Sequence, residues 1–327
     1  MIFLHEIESN LNANYKGGYY KDAKLYIAVN DSYIVQELSS TLIDGYFCFA
    51  GVEQIVRSYM QLNNLTVVNL QCSVIKYKAD AGAGSETDDI DLVVLYTTGA
   101  VRGYRSVTAD DIANTQFLNQ TKCAFLYKHN QMFLNYFINP NVYSSEVYTI
   151  TTYYRDGRIT NDGMSISSGL GSKPYAYKAD VAKYEISLGS RKYTIYMMDD
   201  TPCEELSFRN FYNASESIFL PAAVTRNPST EYETARLNHI ATLYDIEHKE
   251  EFTLVTTPLH PTIADKLLWM VRSRQLVYKL KENGISFNVD ILIKDYKLSR
   301  SSEPNTPIVF EMTFEYADTR LPSTLTL

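Results

Sequence analysis

The stretch from Ile308 to Tyr316 constrains this chain most. Ile308, Phe310, Met312, Phe314 and Tyr316 fall on one side of an extended backbone, and Glu311, Thr313 and Glu315 fall on the other. A period of two is the pattern of a strand with one face on a core and one face in water. The same alternation recurs along the chain, in Leu25, Ile27 and Val29, in residues 65–77, and in short runs at 123–127, 132–138, 146–154, 184–188 and 193–197. Strands spaced about ten residues apart, with turn signals between, predict a sandwich or barrel. Asp156-Gly157 and Asn283-Gly284 read as hairpin turns, because Gly accepts the positive φ such turns require.

Helical spacing appears twice. Val52, Ile55, Val56, Tyr59 and Met60 define an apolar stripe on a helix near 52–61, opened by Gly51 and stopped at Asn63-Asn64. Ile263, Leu267, Met270 and Val271 define a second stripe on a helix near 263–273, with Thr262 as its cap and Asp265 completing a capping box. Residues 79–91, rich in small residues and carboxylates, predict a loop, and the Gly/Ser-rich residues 161–174 predict a long mobile loop. A change of texture at Asp199-Asp200-Thr201-Pro202 divides the chain. The expected architecture is mainly β: an antiparallel sandwich- or barrel-like domain over residues 1–200 and another over 201–327, each with one short α-helix. In the second domain, 232–246 and 252–257 read as two strands of one long hairpin.

Charge and composition narrow the function classes. Thirty basic against 38 acidic residues give a net charge of -8, which argues against nucleic acid and anionic membrane as partners. The N-terminal Met-Ile-Phe-Leu-His-Glu lacks a basic n-region and a cleavage site, so no signal peptide is expected. Cys48, Cys72, Cys123 and Cys203 are widely spaced, three of them in apolar runs, and read as buried free thiols. The histidines lack metal-ligand spacing. Asp88, Asp89 and Asp91 with Glu86 have the oxygen ligands calcium favours but not the EF-hand order, and read as a solvated acidic loop. Gly189-Ser190-Arg191-Lys192 has strands on both sides and no helix N-terminus to hold a phosphate. No cofactor, metal or catalytic residue is assigned, and the chain is expected not to be an enzyme.

Tyrosine is the outlier, with 27 copies against a single tryptophan. A large ring with a polar tip suits both sheets and interfaces. The candidate interface residues are Trp269, expected outside the stripe of its helix, and Tyr153, Tyr154 and Tyr177, with Tyr175 beside them. The same tyrosines would serve a carbohydrate-binding or receptor-binding sandwich, the alternative reading; a β-sandwich glycosidase is a third.

Two passages carry a family resemblance. The first is Val-Glu-Gln-Ile-Val-Arg-Ser-Tyr-Met at 52–60 following an aromatic strand. The second joins Leu206 to Phe211, Glu216 to Leu220, Thr256 to Leu259, residues 263–270, Ile-Leu-Ile-Lys-Asp-Tyr-Lys-Leu at 291–298, and Phe-Glu-Tyr-Ala-Asp-Thr-Arg at 314–320. In this order they resemble distal tail or baseplate hub proteins from tailed phages and prophages of gut Bacteroidota. The resemblance implies a structural virion protein, assembled in the host cytoplasm and located in the tail. It also implies a homo-oligomeric ring in contact with other tail proteins.

Overall fold

The computed structural model describes residues 2–8, 11, 20–43, 46–78, 84–97, 115–119, 121–140, 142–199, 203–237, 240–282, 285–299 and 306–317. The fold is mainly β, built from several antiparallel sheets with two α-helices. Its apolar residues gather into three large cores. The stretch before residue 200 holds the first two.

The first unit contains β1 (Ile2–Phe3), β2 (Tyr20–Val29), β3 (Ser32–Ser39), β4 (Thr41–Ile43), β5 (Tyr46–Cys48), α1 (Val52–Leu62), β6 (Val67–Lys78) and β7 (Ser85–Leu95). Its main sheet runs β1-β7-β6-β2-β3, antiparallel except where β1 joins β7. Strand β7 corrects one expectation. Glu86, Asp88 and Asp89 belong to a paired strand, not to a loop, because Lys76 and Lys78 on β6 neutralise Asp88 and Glu86. On α1, Val52, Val56 and Met60 are buried as the spacing predicts. Ile55, expected in the stripe, is exposed, and Arg57, expected on the wet side, is buried. Its guanidinium donates to the Thr97 carbonyl at 2.6 Å and pairs with Glu53, so the charge is satisfied under the helix.

The second unit is a sandwich. It contains β8 (Thr115–Phe117), β9 (Cys123–Tyr127), β10 (Gln131–Ile138), β11 (Ser145–Tyr154), β12 (Ile159–Ser167), β13 (Gly169–Ala176), β14 (Val181–Leu188) and β15 (Arg191–Met198). Sheets β13-β10-β8 and β12-β11-β14-β15-β9 share one core. The Asp156-Gly157 turn joins β11 to β12 as expected, with Gly157 at φ 89°. The Gly/Ser-rich segment is not a loop: it forms β12 and β13. Gly169, at φ 103°, lets the chain leave one sheet and enter the other.

The third unit is a closed barrel of β16 (Cys203–Arg209), β17 (Ser215–Leu237), β18 (Ile240–Thr256), β21 (Val309–Tyr316), β20 (Ile285–Ser299) and β19 (Leu276–Glu282), in that order around the wall. Ile308, Phe310, Met312 and Phe314 are all buried inside it, as their alternation requires. Helix α2 (Ala264–Val271) sends Leu267 and Met270 into the same core. A 3-10 turn at Pro261–Ile263 precedes it, so the cap is His260 rather than Thr262: the His260 Nδ1 accepts from the Thr262 N–H. Strands β19 and β20 pair up to Glu282 and Ile285, and the Asn283-Gly284 turn itself lies outside the described residues.

One short turn joins the three units. Between β16 and β17, Asn210 donates from Nδ2 to the Leu118 carbonyl of the sandwich. Asn213 donates to the Leu65 carbonyl behind α1, at 3.1 Å. Ala214 packs with Leu95, Leu118 and Phe137, one apolar contact set drawn from the first two units. Directly after the turn, Glu216 meets Lys266 of α2 at 2.8 Å, with both side chains nearly sealed from water. The second carboxylate oxygen of Glu216 accepts from Asn210 Nδ2 at 2.9 Å. A charge buried this deeply persists only when paired and hydrogen-bonded. The wholly buried Tyr193 lies within reach of this charge, and burial first, Glu216 second, push its phenol well above the ordinary value.

Candidate interaction surface

Strands β17 and β18 are far longer than the barrel wall needs, at 23 and 17 residues. The wall uses only their barrel-side ends. Ser215–Pro221 pairs with β16, and Phe252–Val255 pairs with β21. From Asn227–Glu251 outward to Leu237–Ile240, the described ladder joins β17 and β18 to each other over roughly 33 Å. The hairpin expected from strands 232–246 and 252–257 is therefore corrected: residues 240–256 form one unbroken strand through 247–251, and the run 232–246 is divided between β17 and β18, which leave the barrel as a two-stranded arm.

The arm changes character along its length. Counting by twos from the buried Leu254, its core-side face runs through the facing pairs Val224–Leu254, Arg226–Phe252, Pro228–Glu250, Thr230–His248 and Tyr232–Ile246. At the neck that face turns polar. Arg226 pairs with Glu250, and Thr225 to Ser229 are exposed. Pro228, which lacks an N–H, is compatible with the outer edge of a ribbon. Further out the same line places Tyr232 opposite Ile246 and, past a bulge at Glu233/Thr234, Thr234 opposite Leu243 and Arg236 opposite Ala241, while Leu237 opposite Ile240 falls on the other line. The other face puts Glu231 opposite Glu247 and Glu233 opposite Asp245. Like charges in facing positions weaken a two-stranded ribbon, and isolated hairpins are marginal to begin with.

A second exposed area lies on the sandwich. The outer face of β10 and β13 presents Gln131, Phe133, Leu170, Ser172, Pro174 and Ala176, none of them charged. Phe133 is 53% and Leu170 56% exposed.

The residues singled out from sequence are distributed differently. Trp269 is only half-exposed and packs edge-on against Phe211 at 5.5 Å between ring centres, so the same chain covers part of the indole. Tyr153 and Tyr154 sit at the end of β11, and Tyr177 follows β13. Tyr153 donates to Glu185 at 2.9 Å, with Lys183 4.3 Å over its ring. Arg158 lies 4.5 Å over the Tyr154 ring. Tyr177 donates to Asp199 at 2.8 Å, and Arg155 grips the same carboxylate. The Tyr177 hydrogen bond, then the Arg155 charge, hold the Asp199 carboxyl below the ordinary range, as Lys183 does for Glu185. Tyr175 is buried and bonds to Tyr148 at 2.7 Å. The tyrosine surplus thus serves the sandwich core and its end as well as its surface. What sequence reading missed is the arm; its signal was the run of alternating residues on both sides of Asn238-His239.

A surface depression of about 110 Å³ lies where the sandwich meets the barrel, lined by Phe125, Tyr127, Met198, Pro221 and His260 among others. Sites for small organic ligands usually exceed ~300 Å³. Among the described residues no three His, Cys, Asp or Glu side chains converge as a metal shell, and no helix is long and apolar enough to cross a membrane. His239 and His248, two of the histidines read as lacking metal-ligand spacing, fall on residues whose side chains are outside the described set.

All four cysteines are free, two of them buried and two half-buried. Burial pushes the Cys72 thiol up to about 12 and the Cys203 thiol up to about 11. Since the thiolate is the nucleophile, alkylation of the native protein at pH 8 is expected to spare both. Mass spectrometry should find label on Cys48 and Cys123 only, and on all four after denaturation. Early modification of Cys72 would contradict the packing around β6. No family model and no curated protein matches this chain.

Proposed function

We propose that this chain is a structural subunit that works by assembly: a ring or hub component in the tail or baseplate of a tailed phage, contacting its own copies and other tail proteins. The arm is the observation that carries the reading. A two-stranded ribbon that runs roughly 33 Å past the barrel wall offers both of its strand edges to a neighbour. Head-to-tail contacts between copies give rings when the rotation closes, and such contacts need two different patches on each copy. The arm and the uncharged sandwich face are two such patches. The resemblance of the segments at 52–60 and 206–320 to tail hub proteins supplies the biological setting.

The carbohydrate-binding alternative would rest on Tyr153, Tyr154 and Tyr177. Cations already lie over the Tyr153 and Tyr154 rings, on faces a sugar would need for stacking. The assembly reading is therefore preferred. Negative-stain microscopy of the purified chain is expected to show closed rings of uniform diameter. A monodisperse monomer at every concentration and salt condition, alone and with the proteins of neighbouring genes, would remove the proposal.

A further inference from the structure

We propose that Lys266, Glu216 and Asn210 form a self-modification site: the Lys266 amine attacks the side-chain amide carbon of Asn210, ammonia leaves, and a new amide bond ties helix α2 to the turn before β17. The bond lies within one chain, so it goes beyond the assembly reading and does not depend on it.

Three observations carry it. The first is which groups are buried together. Asn210, Glu216 and Lys266 are 2%, 2% and 3% exposed. Lys266 Nζ stands 2.8 Å from one oxygen of the Glu216 carboxylate, and Asn210 Nδ2 stands 2.9 Å from the other. One carboxylate thus bridges an amine and a primary amide, the two reactants of an amide exchange. A general acid–base group must lie within hydrogen-bond reach of the protons it moves, and Glu216 does so at both ends. Buried ion pairs are often no more stabilising than apolar side chains of the same volume, so stability alone does not call for a lysine here.

The second is the state of the amide carbonyl. Asn210 Oδ1 accepts from the backbone N–H of Tyr212 at 3.0 Å and of Ala214 at 3.1 Å. Two fixed donors at these distances stabilise the negative charge that develops on the oxygen when an amine adds to the carbon. The Leu118 carbonyl holds the Nδ2 end, so the acceptor is fixed while the flexible lysine stem brings the amine to it.

The third is dryness. The wholly buried Tyr193 lies within reach of Glu216. The crevice that touches Lys266 measures about 10 Å³ and is lined in part by Phe125, Phe219 and Ile263. That is room for about one water-sized molecule. Ammonia has a way out, and bulk water is kept from competing for the carbonyl.

The step needs no further reactant. Glu216 takes a proton from the Lys266 ammonium, which leaves an amine beside a carboxylic acid; burial favours this neutral form of the pair. The nitrogen lone pair bonds to Asn210 Cγ, and the carbonyl π electrons move to Oδ1. Glu216 passes its proton to Nδ2 and takes one from the attacking nitrogen. The C=O double bond re-forms, the Cγ–Nδ2 bond breaks, and ammonia departs with the bonding pair. One N–C bond is made and one is broken, and nothing is oxidised or reduced. Glu216 keeps the proton the ammonium brought, as suits a buried carboxyl whose countercharge has gone. The ion pair is the resting state and the neutral pair its minor form, so the bond accumulates as the folded chain ages.

The test is the intact mass of the full-length chain, fresh and after weeks of folded storage. The aged chain should weigh less than its sequence by one ammonia, and tryptic mapping should find a branched peptide that joins Asn210 to Lys266. Chain stored unfolded in urea should form the bond ~10²-fold more slowly or not at all. Glu216→Gln should slow it ~10²-fold or more with both reactants still present. The double variant Lys266→Met with Glu216→Gln, which leaves no charge unpaired, should keep its full mass; near-UV circular dichroism checks the fold of each variant. If Glu216→Gln alone fails to fold, the wild-type map and the urea comparison still decide. An aged wild-type chain at full sequence mass overturns the proposal. So does ammonia lost as a succinimide, at Asn283 before Gly284 or elsewhere, with no peptide joining 210 to 266. A folded Glu216→Gln chain that reacts at the wild-type rate removes Glu216 from the site.

Discussion

Replacing Lys266 by Met is expected to lower the stability of the folded chain by about 3–5 kcal/mol, the usual cost of leaving one partner of a buried ion pair alone. The side chain of Glu216 is fully buried and that of Lys266 4% exposed, at 2.8 Å. Methionine fills nearly the same volume as the lysine stem, so little of the loss comes from packing. What is lost is the countercharge, while the hydrogen bond from Asn210 remains. The same Asn210 also holds the sandwich through Leu118, so the damage should spread beyond the barrel. Adding Glu216→Gln to Lys266→Met should recover most of the loss, because the amide keeps an acceptor for Asn210 and carries no charge. Urea unfolding of the wild type, both single variants and the double variant measures this as a coupling energy. A Lys266→Met chain within ~1 kcal/mol of wild type would mean that water reaches the pair and screens it, as at an exposed bridge.

The legibility of this chain followed from where periodicity coincides with burial. The 308–316 alternation reports a barrel strand directly, since one face is wholly inside. The stripe of α1 was readable at Val52, Val56 and Met60 but misplaced Arg57, because a cation under a helix is allowed only by the Thr97 carbonyl, forty residues away. Strand β7 was hidden by its carboxylates, since the lysines that neutralise them are on β6. Lys266 could not be picked out at all. Its partner lies fifty residues earlier, and a lysine on an amphipathic helix is ordinarily on its wet side. The division into cores was harder still. The turn at 210–214 contains two asparagines, Asn210 and Asn213, whose importance lies in carbonyls of two other units. For the candidate interface, Tyr153, Tyr154 and Tyr177 were recognisable as aromatics near strand ends, while the arm needed the register to be seen. A long alternating run gives a strand's length but not which neighbour stops pairing with it.

Gly171→Val should be the second damaging change, and its reason is the one the sequence concealed most completely. In β13 Gly171 faces Tyr136 of β10, and the tyrosine ring lies over the glycine. A Cβ built there would stand 2.2 Å from the ring's Cζ, far inside contact distance. Tyr136 cannot step aside freely. It is buried, with the Tyr148 ring 5.9 Å away, and Tyr148 is tied by its hydroxyl to Tyr175. Glycine weakens a strand on its own account, having no side chain to pack, but an aromatic ring laid across it restores buried area. That is how a Gly/Ser-rich segment becomes a strand in place of a loop. Valine favours strands and would stabilise an open site. Here overpacking should outweigh propensity and cost about 1–3 kcal/mol, with the upper end expected for a ring this confined. Tyr136→Ala alone should cost about 3–5 kcal/mol through the cavity it leaves. Combined with Gly171→Val, it should cost clearly less than the two changes summed, because valine grows into the space the ring vacated. Strictly additive losses in urea unfolding would show that the ring and the glycine are not in contact, and the account of β12 and β13 as strands held by a tyrosine-packed core would lose its main support.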